Sequence, residues 1–143
     1  MSTETGRPRY VIYLNEACEQ LDDLDNSLER RIRKQSEEFL HVWNASDVFN
    51  KSVTDDVDYI KKDRGETRAF GTYIALNGYH ILLVLTVFKE DVKNDYWLQN
   101  AIYQSRAEDY QEELEDVSQD GPLDTYIENL RNNDDYIVVG PRE

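Results

Sequence analysis

Apolar and polar positions alternate most regularly between Glu66 and Lys93, ETRAFGTYIALNGYHILLVLTVFKEDVK, where two β-branched and aromatic runs flank Asn77-Gly78. Asn-Gly supplies two positions that tolerate φ > 0, so the stretch predicts a hairpin with a two-residue turn. In that register Leu76 pairs with Tyr79, Ile74 with Ile81, Thr72 with Leu83, Phe70 with Leu85 and Arg68 with Val87. These positions form a mostly apolar face. The other face (Ala75, His80, Tyr73, Leu82, Gly71, Val84, Ala69, Thr86) is smaller and more mixed, and is expected to stay partly open. An unbroken register leaves Arg68 on the apolar face unless a bulge, for which Gly71 is the candidate, resets the alternation.

The flanking segments read as partners for this hairpin. Arg9 to Leu14 is a strand with Tyr10, Ile12 and Leu14 on one side, and Asn15 can cap a helix carrying Cys18, Leu21 and Leu24. A second helix, with Asn26 and Glu29 as a capping pair, carries Leu28, Ile32, Phe39 and Trp43 as an apolar stripe while Glu29, Arg30, Arg33 and Glu37 face water. Asn44 to Asp56 reads as a loop anchored by Val48, Phe49 and Val53, and Val57 to Lys62 as a short strand ending in an Asp63-Arg64-Gly65 turn. A third helix spans about Asp95 to Val117, followed by a short helix over 123–131 and a strand over 136–139. The expected fold is α+β: a small antiparallel-rich sheet from residues 9–14, 57–62, 66–76 and 79–89, with the 15–43 helical hairpin burying the apolar face. Residues 9–117 form one domain and 118–143 a C-terminal extension.

Composition narrows the class. A chain of 143 residues supports one ordinary core. Its single cysteine, Cys18, rules out an intrachain disulfide framework and reads as a small residue in the apolar stripe. MSTETGRPRY lacks the apolar run of a signal peptide, and the longest apolar stretch, Ile81 to Phe88, is far below the roughly 20 residues of a membrane helix. A cytoplasmic, membrane-free protein is expected. The net charge of -14 is uneven: residues 1–50 hold 10 acidic and 6 basic residues (-4), 51–100 hold 8 and 7 (-1), and 101–143 hold 12 and 3 (-9). Such acidity argues against casual nucleic-acid binding and suits a salt-rich cytoplasm.

Motifs with metal or cofactor chemistry are lacking. There is no glycine-rich phosphate loop, no cysteine pair and no HExxH, and the only histidines are His41 and His80. Glu108, Asp109, Glu112 and Glu113 have helical spacing but read as a solvated face on so acidic a chain. His80 reads either as a general base or as a packed strand residue. The stronger signal is cationic: Lys61, Lys62, Arg64, Arg68, Lys89 and Lys93 gather around the hairpin in an otherwise acidic protein.

A strand and two helices in VIYLNEACEQLDDLDNSLERRI, a hairpin with Arg at its start and F-K at its end in GETRAFGTYIALNGYHILLVLTVFKEDVKND, and a helix with IYQSRAEDYQEEL follow in order. This layout, over roughly residues 9–115, resembles the RelE/HigB superfamily of toxins, in particular the HigB-like branch. The resemblance implies a metal- and cofactor-independent endoribonuclease that cleaves messenger RNA in the ribosome and is inhibited by a cognate antitoxin. Arg68 would then clamp the scissile phosphate, Lys89 would place a second cation near the leaving oxygen, and Tyr73 would stack on a base or donate to phosphate. Lys61, Lys62, Arg64 and Lys93 would hold the RNA backbone. The residues also admit a second reading, a RelE-like binding module or regulator without catalysis, in which the Tyr136 to Val139 strand pairs with a partner or a second copy or completes its own sheet.

Repulsion among the carboxylates of residues 101–143 is screened by salt, so stability is expected to rise with ionic strength. Thermal melts from dilute buffer to molar KCl test this; a melting temperature indifferent to salt contradicts it.

Overall fold

The structure is a computed structural model describing residues 8–42, 44–52, 56–60, 67–76, 78–89, 96–120 and 123–140. Elements run β1 (Arg9–Tyr13), α1 (Asn15–Asp23), α2 (Asn26–Glu37), two 3-10 turns (Glu38–Leu40, Ala45–Val48), β2 (Phe49–Ser52), β3 (Asp58–Ile60), β4 (Thr67–Leu76), β5 (Tyr79–Lys89), α3 (Tyr96–Asp120), α4 (Leu123–Arg131) and β6 (Ile137–Val139). The fold is α+β, built on one six-stranded sheet in the order β2-β3-β4-β5-β1-β6. Every pairing is antiparallel except β1 with β5, which is parallel. No helix among the described residues is long and apolar enough to cross a membrane.

The hairpin forms with Gly78 at φ 86, as a primed turn requires. The pairs Leu76–Tyr79, Ile74–Ile81 and Thr72–Leu83 hold, but beyond Gly71 the register shifts. Phe70 then faces Thr86 and Arg68 faces Phe88, with Leu85 as the extra residue of a bulge. The bulge turns Val87 away from the face first expected for it: Val87 packs with Val11, Leu82 and Val84, whereas Leu85 packs with Phe70 and Leu83.

Both faces of the sheet are covered, which corrects the expected layering. The apolar hairpin face (Phe70, Ile74, Ile81, Leu83, Leu85) packs against α3 and α4 through Tyr103, Ala107, Leu114, Leu123 and Ile127. The smaller face, expected to stay partly open, is instead the one that α1 and α2 bury through Ala17, Leu21 and Ile32, with Phe39 from the 3-10 turn that follows α2. Side-chain size explains the choice: residues such as Ala69 and Gly71 let two short helices approach, while the bulkier face needs the long α3 to span it.

Element ends differ from the reading of the sequence in local ways. The cap of α2 is Asp25, one residue earlier than expected, accepting from the Leu28 amide at 2.9 Å. Helix α2 closes at Glu37 and passes into a 3-10 turn that buries Phe39, and the presumed loop after it contains the edge strand β2. The C-terminal segment adds Leu123 and Ile127 to the core, and β6 completes the sheet on β1.

A Cβ on Gly71 would lie 3.0 Å from the Leu83 carbonyl oxygen and 3.1 Å from side-chain carbons of Ile60 and Leu82. Gly71→Ala is therefore expected to cost about 1–3 kcal/mol, the usual penalty of overpacking, as a lowered midpoint in urea unfolding. An unchanged midpoint would mean the bulge is not tightly packed.

Candidate functional site

The strand ladder places the expected catalytic residues individually. Arg68 stands opposite Phe88 and Lys89 opposite Thr67, on successive rungs at the open end of the hairpin. Tyr73 lies five residues along β4 from Arg68, roughly 17 Å at about 3.4 Å per residue. Its ring stacks on His80 (centroids 5.9 Å, 8°) with Phe39 edge-on at 5.7 Å, and its hydroxyl is 2.5 Å from His80 Nδ1. Arg9 lies over Phe39 and donates to the carbonyls of Phe39 and Val42 at 2.8 and 2.6 Å. Tyr73 and His80 thus belong to a packed cluster toward the turn of the hairpin, which separates Tyr73 from Arg68 and Lys89. Lys61, Lys62, Arg64 and Lys93 lie outside the described residues.

What gathers around Thr86 of β5 is a set the sequence reading did not single out. Helix α1 starts immediately after β1, so Glu16 and Gln20, four residues apart, project from one side of it over the end of β5. Tyr103 and Arg106, three apart on α3, meet them from across the sheet end. The Tyr103 hydroxyl donates to Glu16 Oε2 at 2.5 Å, and Arg106 Nη1 to Glu16 Oε1 at 2.6 Å while its guanidinium covers the Tyr103 ring at 5.3 Å. Thr86 Oγ1 lies 3.3 Å from the Tyr103 hydroxyl and donates to Gln20 Oε1 at 2.9 Å. Gln20 Oε1 also accepts from the Val87 amide at 2.6 Å, tying α1 to the bulged segment. Tyr103 sits edge-on to Phe70 at 5.6 Å, and Arg68 is two residues from Phe70 on the same strand.

Beside this network is a cavity of about 290 Å³ bounded by Leu14, Leu85 and Tyr110, with Asn15, Glu19, Glu16 and Arg106 as its polar lining. It lies just past the carboxyl end of β1, alongside Leu85 of β5. A larger recess of about 400 Å³ lies on the outer surface of α2, lined in part by Arg30, Arg33 and Lys34 with Glu29 and Glu37. Its charges are partly matched within the helix, Arg33 pairing Glu37 at 2.9 Å, and Glu37 also accepts from Tyr13 at 2.8 Å.

Burial pushes the Glu16 carboxyl up, but hydrogen bonds from Tyr103, Arg106 and Thr86 outweigh it and hold Glu16 below its ordinary value. Burial and the bond to Glu16 push Tyr103 up to about 12, so it stays protonated at neutral pH. The arrangement therefore offers an ionised carboxylate and a guanidinium on the crevice wall with the buried Tyr103 phenol bonded behind them, a set suited to proton transfer and to stabilising an anion. Among the described residues no group of three or more His, Cys, Asp or Glu gathers as a metal site would. One signal for the site was available in the sequence: Arg106 is the only cation between Lys93 and Arg131, and it stands in the Arg106-x-x-x-Tyr110 pattern of α3. No family model matches the chain, and no curated protein is significantly similar to it.

Glu16 contributes stability that is present above its unfolded value near 4.5 and lost as pH falls through the lower folded value. Tyr103 contributes stability that is present below 10.0 and lost as pH rises through about 12. In urea unfolding across pH, Glu16→Gln should flatten the acid limb. Tyr103→Phe should make the alkaline limb shallower without abolishing it, because burial also raises Tyr13, Tyr110 and Tyr126. An acid limb that is the same in Glu16→Gln and wild type would contradict the coupling.

Proposed function

We propose that this chain is an endoribonuclease of the RelE/HigB toxin type, a cytoplasmic protein that cleaves messenger RNA without a metal and is restrained by a cognate antitoxin. The observation that supports this reading best is the arrangement of elements. A strand, two helices on one face, a small antiparallel sheet that ends in the long hairpin, and a long helix that covers the other face together with α4 follow in order, and this layout supports the resemblance to that superfamily. The cleavage it calls for is attack of the substrate's 2′-OH on the adjacent phosphorus, forming the O2′–P bond and breaking P–O5′. Glu16 would accept the 2′-OH proton, Tyr103 would supply one to the departing O5′, and Arg106 with Arg68 would stabilise the pentavalent phosphorane. Lys89 keeps the role of a more distant cation for the backbone. Tyr73, packed against His80 and Phe39, drops out of the catalytic set.

A specific observation favours the alternative, a RelE-like binding module without catalysis. Helices cover both faces of the hairpin, and Glu16 already accepts from both Tyr103 and Arg106. In that reading the network is a structural tie and β6 offers its outer edge to a protein partner or a second copy.

Expression of the chain in a host cell, with growth and messenger RNA integrity followed, separates the two. Under the enzyme reading the wild type arrests growth and cuts RNA. Arg68→Ala, Arg106→Ala and Glu16→Gln should each lower cleavage by about 10²-fold or more while circular dichroism shows them folded. A harmless wild type with intact RNA would move the assignment to the binding module, and folded variants that cleave normally would remove these residues from the catalytic set.

A further inference from the structure

We propose that the cavity between α1 and α3 is a base-recognition pocket for guanosine, with Glu19 as the residue that selects the base. This rests on the RNA-directed reading above and concerns the crevice beside the same network. About 290 Å³ lies near the lower end of ligand-pocket volumes, roughly 300–1,000 Å³, and suits one nucleoside better than a length of strand.

The lining divides by chemistry. Leu14, Leu85 and Tyr110 give an apolar, partly aromatic surface of the kind on which an unstacked RNA base rests. Glu16 is occupied by Tyr103 and Arg106, whereas the side chains of Glu19 and Asn15, both exposed on α1, make no hydrogen bond or ion pair among the described residues. An ionised carboxylate has two acceptor oxygens and no donor, so it pairs best with two adjacent N–H groups. Guanine alone among the four RNA bases offers such a pair, N1–H beside N2–H, on its Watson–Crick edge. Its neighbouring O6 is an acceptor that the Asn15 amide can serve. Adenine and cytosine present a donor beside a ring acceptor, and uracil a donor between two acceptors, so each sets a lone pair against the Glu19 carboxylate. Arg106, its side chain 43% exposed, remains at the cavity wall to meet the attached phosphate. That places the phosphate next to Glu16 and Tyr103, where the proposed cleavage takes place.

Calorimetric titration of the full chain with the four nucleoside 5′-monophosphates and inosine monophosphate tests the pocket independently of cleavage. GMP should bind about tenfold or more tightly than AMP, CMP or UMP, the scale of one good bidentate contact, and IMP, lacking the 2-amino group, should fall between. Glu19→Gln should abolish the preference in a protein whose melting temperature is unchanged, since Glu19 is exposed. Tyr110→Phe, which keeps the ring, should retain the preference, and Tyr110→Ala should weaken all five nucleotides. Equal binding of all nucleotides, no binding of any, or a guanine preference that survives Glu19→Gln would overturn the assignment. GMP selectivity with RNA left intact would keep the pocket and remove the cleavage reading; cleavage with no guanine preference would do the reverse.

Discussion

The arrangement depends on β1 lying inside the sheet, parallel to β5 and antiparallel to β6. Val11, Ile12 and Tyr13 are fully buried, so this strand of five residues is covered on both faces and paired on both edges. A short strand so enclosed has little freedom of register, because a one-residue slip would exchange the two sets of side chains between two filled cores. Once β1 is fixed beside β5, α1 must begin at the sheet's end. Glu16, Gln20 and the lining of the crevice follow from that placement.

Tyrosine hydroxyls then do what cations do in less acidic proteins. With 30 acidic against 16 basic residues and 10 tyrosines, the chain satisfies several carboxylates with phenols: Tyr13 donates to Glu37, Tyr103 to Glu16, Tyr126 to Glu113 and Tyr79 to Asp124. Three of these bonds join elements distant in sequence, and the Tyr79 and Tyr126 bonds hold α4 to the body. A neutral donor gains less from Coulomb attraction than an ammonium but is also less weakened by salt. The same choice makes these ties sensitive to alkali, since a phenolate beside a carboxylate repels it.

The bulge between Phe70 and Gly71 links this framework to the crevice. By adding Leu85 to β5, it sets Thr86 opposite Phe70, where Thr86 can meet Tyr103 from α3 and Gln20 from α1. Without that extra residue, Thr86 would belong to the other face and the two helices would share no polar contact through it. A local irregularity of one residue therefore joins helices from opposite layers at the end where Arg68 lies.

By itself the sequence determined the hairpin, its Asn-Gly turn, the amphipathic helices and the terminal strands, because each follows from periods of two or 3.6 residues and from turn chemistry within a few positions. It marked the neighbourhood of Gly71 as the place of a bulge, although the extra residue is Leu85 on the facing strand and β4 keeps its own alternation. Tertiary structure alone decided which helix covers which face, since two apolar faces and several amphipathic helices can be matched in more than one way, and packing volume makes the choice. It also decided which polar groups meet. Glu16 and Arg106 are 90 residues apart and Gln20 and Thr86 are 66 apart, so no local pattern relates them. Conversely, Arg68 and Tyr73, close enough in sequence to suggest one site, are held apart by an extended strand, whose rise per residue turns five positions into a distance no side-chain contact can span.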